Sequence, residues 1–112
     1  MKPVEGDLLA PKGFTAGTIS CGINSLEGSR KDLIVINAGT SVSAAAVFTT
    51  NKVQAAPVLL SKQHVQTGMA QAIVVNSGNA NACNGETGMR DAREMSRLVA
   101  DGLGIPSEQI LI

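Results

Sequence analysis

Residues 72–104 read AIVVNSGNANACNGETGMRDAREMSRLVADGLG, and a strand, a polar loop and a helix follow from them in order. Ala72-Ile73-Val74-Val75 is a short continuous aliphatic run, the pattern of a buried strand. It passes directly into Asn76-Ser77-Gly78-Asn79-Ala80-Asn81-Ala82-Cys83-Asn84-Gly85, where Asn, Ser and Gly replace the aliphatics. A helix is then predicted from about Gly88 to Gly102. Its apolar positions are Met89, Ala92, Met95, Leu98, Val99 and Leu103, at spacings of three and four. Arg90, Arg93, Glu94, Arg97 and Asp101 fill the opposite side, so one stripe is buried and the rest faces water. Gly104 suits the C-terminal cap, and Pro106 blocks continuation.

Outward from this unit the signals are shorter. Residues 1–13 carry Pro3, Gly6, Pro11 and Gly13 and read as an irregular lead-in. Phe14 to Ile23 suits a strand, and Asn24 to Asp32 a turn. Leu33-Ile34-Val35-Ile36 reads as a strand buried on both faces, and Val42 to Thr50 as a second such run. Pro57 limits Val58 to Leu60 to a short or edge strand. Ser61 is placed to cap a brief helical turn through His64. Ile110-Leu111-Ile112 reads as the start of another buried strand. A free carboxylate there would be an unpaired charge in an apolar place. The expectation is an incomplete domain spanning residues 1–112, with the native polypeptide continuing past Ile112; a short edge strand that ends the protein is the alternative.

Composition narrows the function classes. Hydrophobic residues make up 44% of the 112, enough for a core, but Phe14 and Phe48 are the only aromatics. A surface that stacks bases on rings is therefore not expected. Nine basic and nine acidic residues cancel, which argues against nucleic acid and anionic membrane as partners. No apolar run approaches the roughly 20 residues that span a bilayer. Pro3, Glu5 and Asp7 stand where a signal peptide is apolar, so a cytoplasmic location is expected. Cys21 and Cys83 then read as free, buried, unreactive thiols. With His64 as the single histidine, no zinc spacing exists and no metal is expected.

The candidate site is the loop after the Ala72–Val75 strand, a usual place for ligand loops in α/β folds. Asn76, Ser77, Gly78, Asn79 and Asn81 are its candidate pocket or supporting residues. Asparagine does not titrate, so it cannot serve as general acid or base. It can orient a carboxylate, an amide or a developing oxyanion. Plain turn chemistry explains the same residues and is the stronger reading on composition alone. No phosphate-loop pattern is present. Thr49-Thr50-Asn51 is a second polar cluster. A threonine nucleophile needs an adjacent base, and none is evident, so these read as strand-end hydroxyls. His64 reads as a surface residue.

The whole chain resembles the N-terminal part of the ornithine acetyltransferase family of arginine biosynthesis. The matching stretches are APKGF (10–14), CGI (21–23), RKDL (30–33), AAAVFTTNKVQAAPV (44–58) and AIVVNSGNANACNGETG (72–88), continuing through DAREM (91–95) and LGIP (103–106). The resemblance implies a layered α/β sandwich like that of self-processing N-terminal nucleophile enzymes, present here only in part. It implies a precursor that cuts itself before an internal threonine, with α and β segments held together as an α2β2 heterotetramer. That threonine takes acetyl from N-acetylornithine and passes it to glutamate by ping-pong transfer, with no metal or organic cofactor. Some members also take acetyl from acetyl-coenzyme A. The family's oxyanion Thr-Gly pair and its nucleophile match no residue here, so no catalytic residue is carried over. The Asn76–Gly85 loop and the Val47–Asn51 strand end are implied walls or supports of the active site. A non-catalytic stand-alone paralogue, binding an amino acid or a partner chain, is the competing reading. A self-processing peptidase or amidase is the remote one.

Overall fold

The computed structural model describes residues 6–23 and 30–112. Four strands form one mixed sheet in the order β1 (Thr15–Ile19), β2 (Leu33–Ser43), β3 (Met69–Asn76) and β4 (Ile110–Leu111). The first three are antiparallel neighbours, and β4 runs parallel to β3. Two helices, α1 (Ala56–His64) and α2 (Gly85–Leu103), lie against one face.

Strand β3 organises the core by alternation. Ala70, Ala72 and Val74 point into the helical layer and are buried, while Met69, Ile73 and Val75 point away and are exposed. Ala72 and Val74 join Ala100 of α2 and Ile110 of β4 in one cluster, flanked by Val35, Met95, Val99 and Leu103. Ala56 and Leu60 of α1 meet Ala92 of α2 in a second, and Ile112 packs against both clusters. Small side chains at these contacts let the helices approach each other and the sheet closely.

Among the described residues, no helix covers the opposite sheet face. Register places Ile34 beside Val75, Ile36 beside Ile73 and Leu111 beside Ile73 on that face. Leu33–Ile36 is therefore half-buried, not buried on both faces as its sequence predicts. A continuous aliphatic run marks a strand meant for two apolar neighbours, and only one of them lies within the described residues.

Other expectations change for identifiable reasons. The runs at 33–36 and 42–50 are not two strands. Strand β2 is a single element of 11 residues, and the Val42–Thr50 run loses strand structure after Ser43. Its partner ends first. Ser43 pairs with Met69, and the last ladder-like bond is from Ala44 N–H to the Gly68 carbonyl, 2.8 Å. There Gly68, at φ 71°, turns the chain away. Asn37 pairs with Ala72 but Val42 with Ala70, so residues 38–41 bulge from the ladder. Gly39 takes φ 73° in that bulge and donates its N–H to Asn37 Oδ1 at 2.8 Å.

Val58–Leu60 is helical. Pro57 sits in the first turn of α1, where a missing N–H costs nothing, so it starts the helix instead of marking a strand edge. Ser61 is not a cap; it is buried within α1. Helix α2 begins at Gly85, one turn earlier than predicted, and ends as predicted at Gly104 in the left-handed conformation, φ 67°. Its buried stripe is rotated slightly. Ser96, 1% exposed, lies on the Ala92–Ala100 line, whereas Leu98 is 57% exposed. The Ser96 hydroxyl donates to the Ser107 carbonyl at 2.9 Å, which permits its burial.

Candidate functional site

The Asn76–Gly85 loop leaves the carboxyl end of β3 and turns into α2. Its shape is written in its own amides. Asn76 Nδ2 donates to the Asn79 carbonyl at 2.8 Å, and Asn79 Oδ1 accepts from Asn81 N–H at 2.9 Å. Asn81 Nδ2 reaches the Gly88 carbonyl at 2.7 Å, and Asn84 Nδ2 donates to Asn81 Oδ1 at 3.0 Å. The Asn81 carbonyl accepts from Ala56 N–H at 3.3 Å, tying the loop to the start of α1. Asn81 and Cys83 hold positive φ, 46° and 61°, as do Gly78 at 111° and Gly85 at 56°. Asparagine tolerates that region better than most residues.

Between this loop and α2 lies a cleft of about 210 Å³. Asn76, Asn79, Asn81 and Asn84 supply amides, Asp91 a carboxylate, and Ile23, Pro57, Met95 and Ile112 aliphatic walls. Among the described residues, Asn76 Oδ1, Asn79 Nδ2 and Asn84 Oδ1 carry no hydrogen bond to protein. The cleft thus offers one amide donor and two amide acceptors, with the Asp91 carboxylate, beside an apolar floor, suited to holding a small polar molecule. Amides do not ionise at ordinary pH, so what these asparagines offer is orientation.

The structure brings three of the five predicted site residues together at the cleft: Asn76, Asn79 and Asn81. Ser77 and Gly78 lie outside it. Ser77 donates its N–H to the Asp32 carbonyl at 2.9 Å and lines a different hollow, beside Thr18 and Lys31. The Val47–Asn51 segment does not line the cleft either, and it is not a strand end. Val47 is 98% exposed. Thr49 Oγ1 accepts from Asn51 N–H at 3.1 Å, and Lys62 Nζ stands 5.7 Å from the Phe48 ring centroid. Asp91 and Met95 were missed from sequence, although they stand four residues apart on α2 and hence on one helix face.

Two further expectations are corrected. Cys21 and Cys83 are free but exposed, not buried: Cys21 follows β1 and Cys83 lies in the loop before α2. His64 is half-buried instead of a plain surface residue. Its Nδ1 lies 2.7 Å from the Ile110 carbonyl, an acceptor, so Nδ1 carries the proton. A larger open groove, about 880 Å³, runs between α1 and α2, with His64, Arg93, Arg97 and Glu108 among its walls. Arg97 there is already held by Glu94 and Asp101, at 2.7 and 2.5 Å. Among the described residues no helix is long and apolar enough to cross a membrane, and no group of three His, Cys, Asp or Glu side chains is placed to hold a metal.

This α/β arrangement is that of solved arginine-biosynthesis enzymes. The crystal structure of the arginine biosynthesis bifunctional protein ArgJ from Bacillus halodurans superposes with TM-score 0.87 at 40% identity, over 95% of this chain and 55% of that one. Ornithine acetyltransferase from Mycobacterium tuberculosis, solved with ornithine, superposes with TM-score 0.86 at 36% identity, over 92% of this chain and 55% of that one. The ArgJ family profile matches residues 15–112, and the chain belongs to the ArgJ family. The bifunctional ArgJ proteins of Caldanaerobacter subterraneus subsp. tengcongensis and Symbiobacterium thermophilum are 46% and 47% identical over 112 and 108 residues. Those matches cover 100% and 96% of this chain but 27% of each relative, so the chain spans about a quarter of their length.

Proposed function

We propose that this chain is the N-terminal part of a glutamate N-acetyltransferase of arginine biosynthesis. In the complete protein, acetyl passes from N2-acetyl-L-ornithine to a threonine and then to L-glutamate, releasing ornithine between the two transfers. The nucleophile lies outside these residues, in a β segment freed by self-cleavage, and the assembly is an α2β2 heterotetramer in the cytoplasm. The observation that carries this reading is the likeness to the ornithine-bound M. tuberculosis enzyme over nearly the whole chain. The cleft adds a second support: its unbonded Asn79 amide donor and Asn76 and Asn84 amide acceptors suit the carboxylate and amide of an acetylated amino acid.

The part assigned to these residues is orientation. Asn76, Asn79 and Asn81 shape the loop and present the remaining amide groups of the cleft, while Ser77 and Gly78 support its departure from β3. A threonine with a free α-amine supplies its own base, so none of these side chains is required to move a proton. The test uses the full-length polypeptide. Glutamate-dependent release of ornithine from N-acetylornithine is expected, together with two chains on denaturing gels and an acetylated threonine at the new N-terminus by mass spectrometry. The 112-residue chain alone should show no turnover. Turnover by that chain alone, or a folded full-length protein that binds an amino acid without acetyl transfer, would overturn the reading, the latter in favour of a non-catalytic paralogue.

A further inference from the structure

We propose that Asp32 and Ser61 are positioning residues for the asparagine cleft, each holding one of its aliphatic walls. This rests on the reading of that cleft as part of the substrate site. The two walls, Ile23 and Ile112, come from opposite ends of the chain. Among the described residues neither has a strand-pairing partner: Ile23 lies beyond the end of β1, next to Gly22 at φ 74°, and the β3–β4 pairing covers Ile110 and Leu111.

Each wall is instead held by one buried polar side chain. Asp32 is 5% exposed; its Oδ1 accepts from Cys21 N–H at 2.6 Å and its Oδ2 from Ile23 N–H at 2.8 Å. The main chain of Asp32 is anchored on both sides. Its N–H donates to the Ile19 carbonyl at 3.1 Å, and its carbonyl accepts from Ser77 N–H at 2.9 Å. Asp32 therefore ties the Ile23 tip to the point where β3 becomes the asparagine loop. Ser61 is 6% exposed, and its hydroxyl accepts from Ile112 N–H at 2.9 Å and donates to the Ile112 carbonyl at 3.0 Å. Both main-chain polar groups of Ile112 thus rest on one hydroxyl of α1.

Neither Asp32 nor Ser61 lines the cleft, so each acts through an isoleucine. Charge-assisted bonds from a carboxylate to backbone N–H groups are strong and directional. A hydroxyl that both donates and accepts fixes orientation as well as distance. Loss of either removes the polar bonds that fix its wall, leaving the chain and apolar packing alone to place it, and displacements of an ångström weaken ligand positioning severely.

The test is made in the full-length polypeptide with Asp32→Asn, Ser61→Ala and the conservative Ser61→Thr. Asn cannot accept at both oxygens, and Ala removes the hydroxyl that Thr retains. Asp32→Asn and Ser61→Ala should each raise KM for one substrate about tenfold with kcat within about twofold, and Ser61→Thr should recover most of the loss. Amide hydrogen exchange should quicken at Ile23 in the first variant and at Ile112 in the second. Ala70→Gly, a change at a buried position at the other end of β3, should leave KM unaltered. Ile23→Val and Ile112→Val trim the walls without touching the clamps, and they should raise KM even if a clamp variant does not fold. Unchanged KM in folded clamp variants and in both valine variants, with KM raised by Asn79→Ala, overturns the positioning roles while the cleft reading stands. Unchanged KM in Asn79→Ala as well removes the cleft reading, and this proposal with it.

Discussion

Asn81 and Gly88 are interlocked. Asn81 Nδ2 donates to the Gly88 carbonyl at 2.7 Å, and a Cβ built on Gly88 would stand 2.5 Å from Asn81 Oδ1 and 2.8 Å from Asn84 Cβ. No real side chain fits that space, so the helix that follows the loop must carry glycine at its fourth residue. Gly88→Ala is expected to destabilise the fold by about 1–3 kcal/mol, the usual cost of overpacking. Chemical denaturation measures it. In an Asn81→Ala background the same change should cost less, because the obstructing amide is gone, and a double-mutant cycle reads the difference.

Cys21 and Cys83 are exposed, so both thiols should react with a small disulfide reagent in the native state, without denaturant. Cys83 also holds φ 61°, a region that costs an ordinary L-residue roughly 1–2 kcal/mol. Cys83→Gly is expected to be neutral or mildly stabilising, and Cys83→Val destabilising. Thermal midpoints of the two variants decide this. A midpoint that falls more for Gly than for Val would show the strained backbone to be misassigned.

The bare sheet face predicts behaviour in solution. Ile73 and Val75 are 40% and 46% exposed, next to Ile36 and Ile34 in register. A contiguous aliphatic surface of this kind favours association. The 112-residue chain should bind a hydrophobic fluorescent dye and self-associate as concentration rises. Ile73→Thr with Val75→Thr should reduce both effects. Because these side chains lie outside the helix-side core, the pair should cost little stability, checked by light scattering and denaturation side by side.

The ion pairs of α2 carry a small, signed pH dependence. Glu94 accepts from Arg97 Nη2 at 2.7 Å and from Nε at 2.8 Å. This hydrogen bonding from Arg97 holds the Glu94 carboxyl below its ordinary 4.5; desolvation opposes it, and the arginine charge adds to it. A carboxyl depressed in the folded state contributes stability above its unfolded value and loses it as pH falls through the folded value. Arg97→Ala should therefore lower the thermal midpoint slightly at neutral pH. The gap should close as the solution is acidified below Glu94's folded value, and also in about 1 M salt, which screens exposed pairs.

Much of the helical layer was legible in sequence because its signals are local. The β3 run, the C-terminal glycine of α2 and the three-and-four spacing of Met89, Ala92, Met95 and Val99 all depend on near neighbours. Pro57 misled because one residue suits both a strand edge and a first helical turn, and only the packing of Leu60 on Ala92 selects the helix. Asn76, Asn79 and Asn81 were legible as a loop, and the structure places them at one cleft. Ser77 and Gly78 share the loop's composition but point elsewhere, a distinction that composition does not carry.

By itself the sequence determined strand β3, helix α2, the polar loop between them, and the family. These rest on side-chain period, on glycine and proline at element ends, and on motifs continuous along the chain. Tertiary structure alone decided what lies far apart in sequence. Residue 112 rests on the hydroxyl of residue 61, residue 23 hangs from the carboxylate of residue 32, and the strand past Ser43 dissolves because β3 has already turned away. Such contacts depend on how elements pack and on where a partner strand runs out, and neither quantity is encoded in any local window of residues.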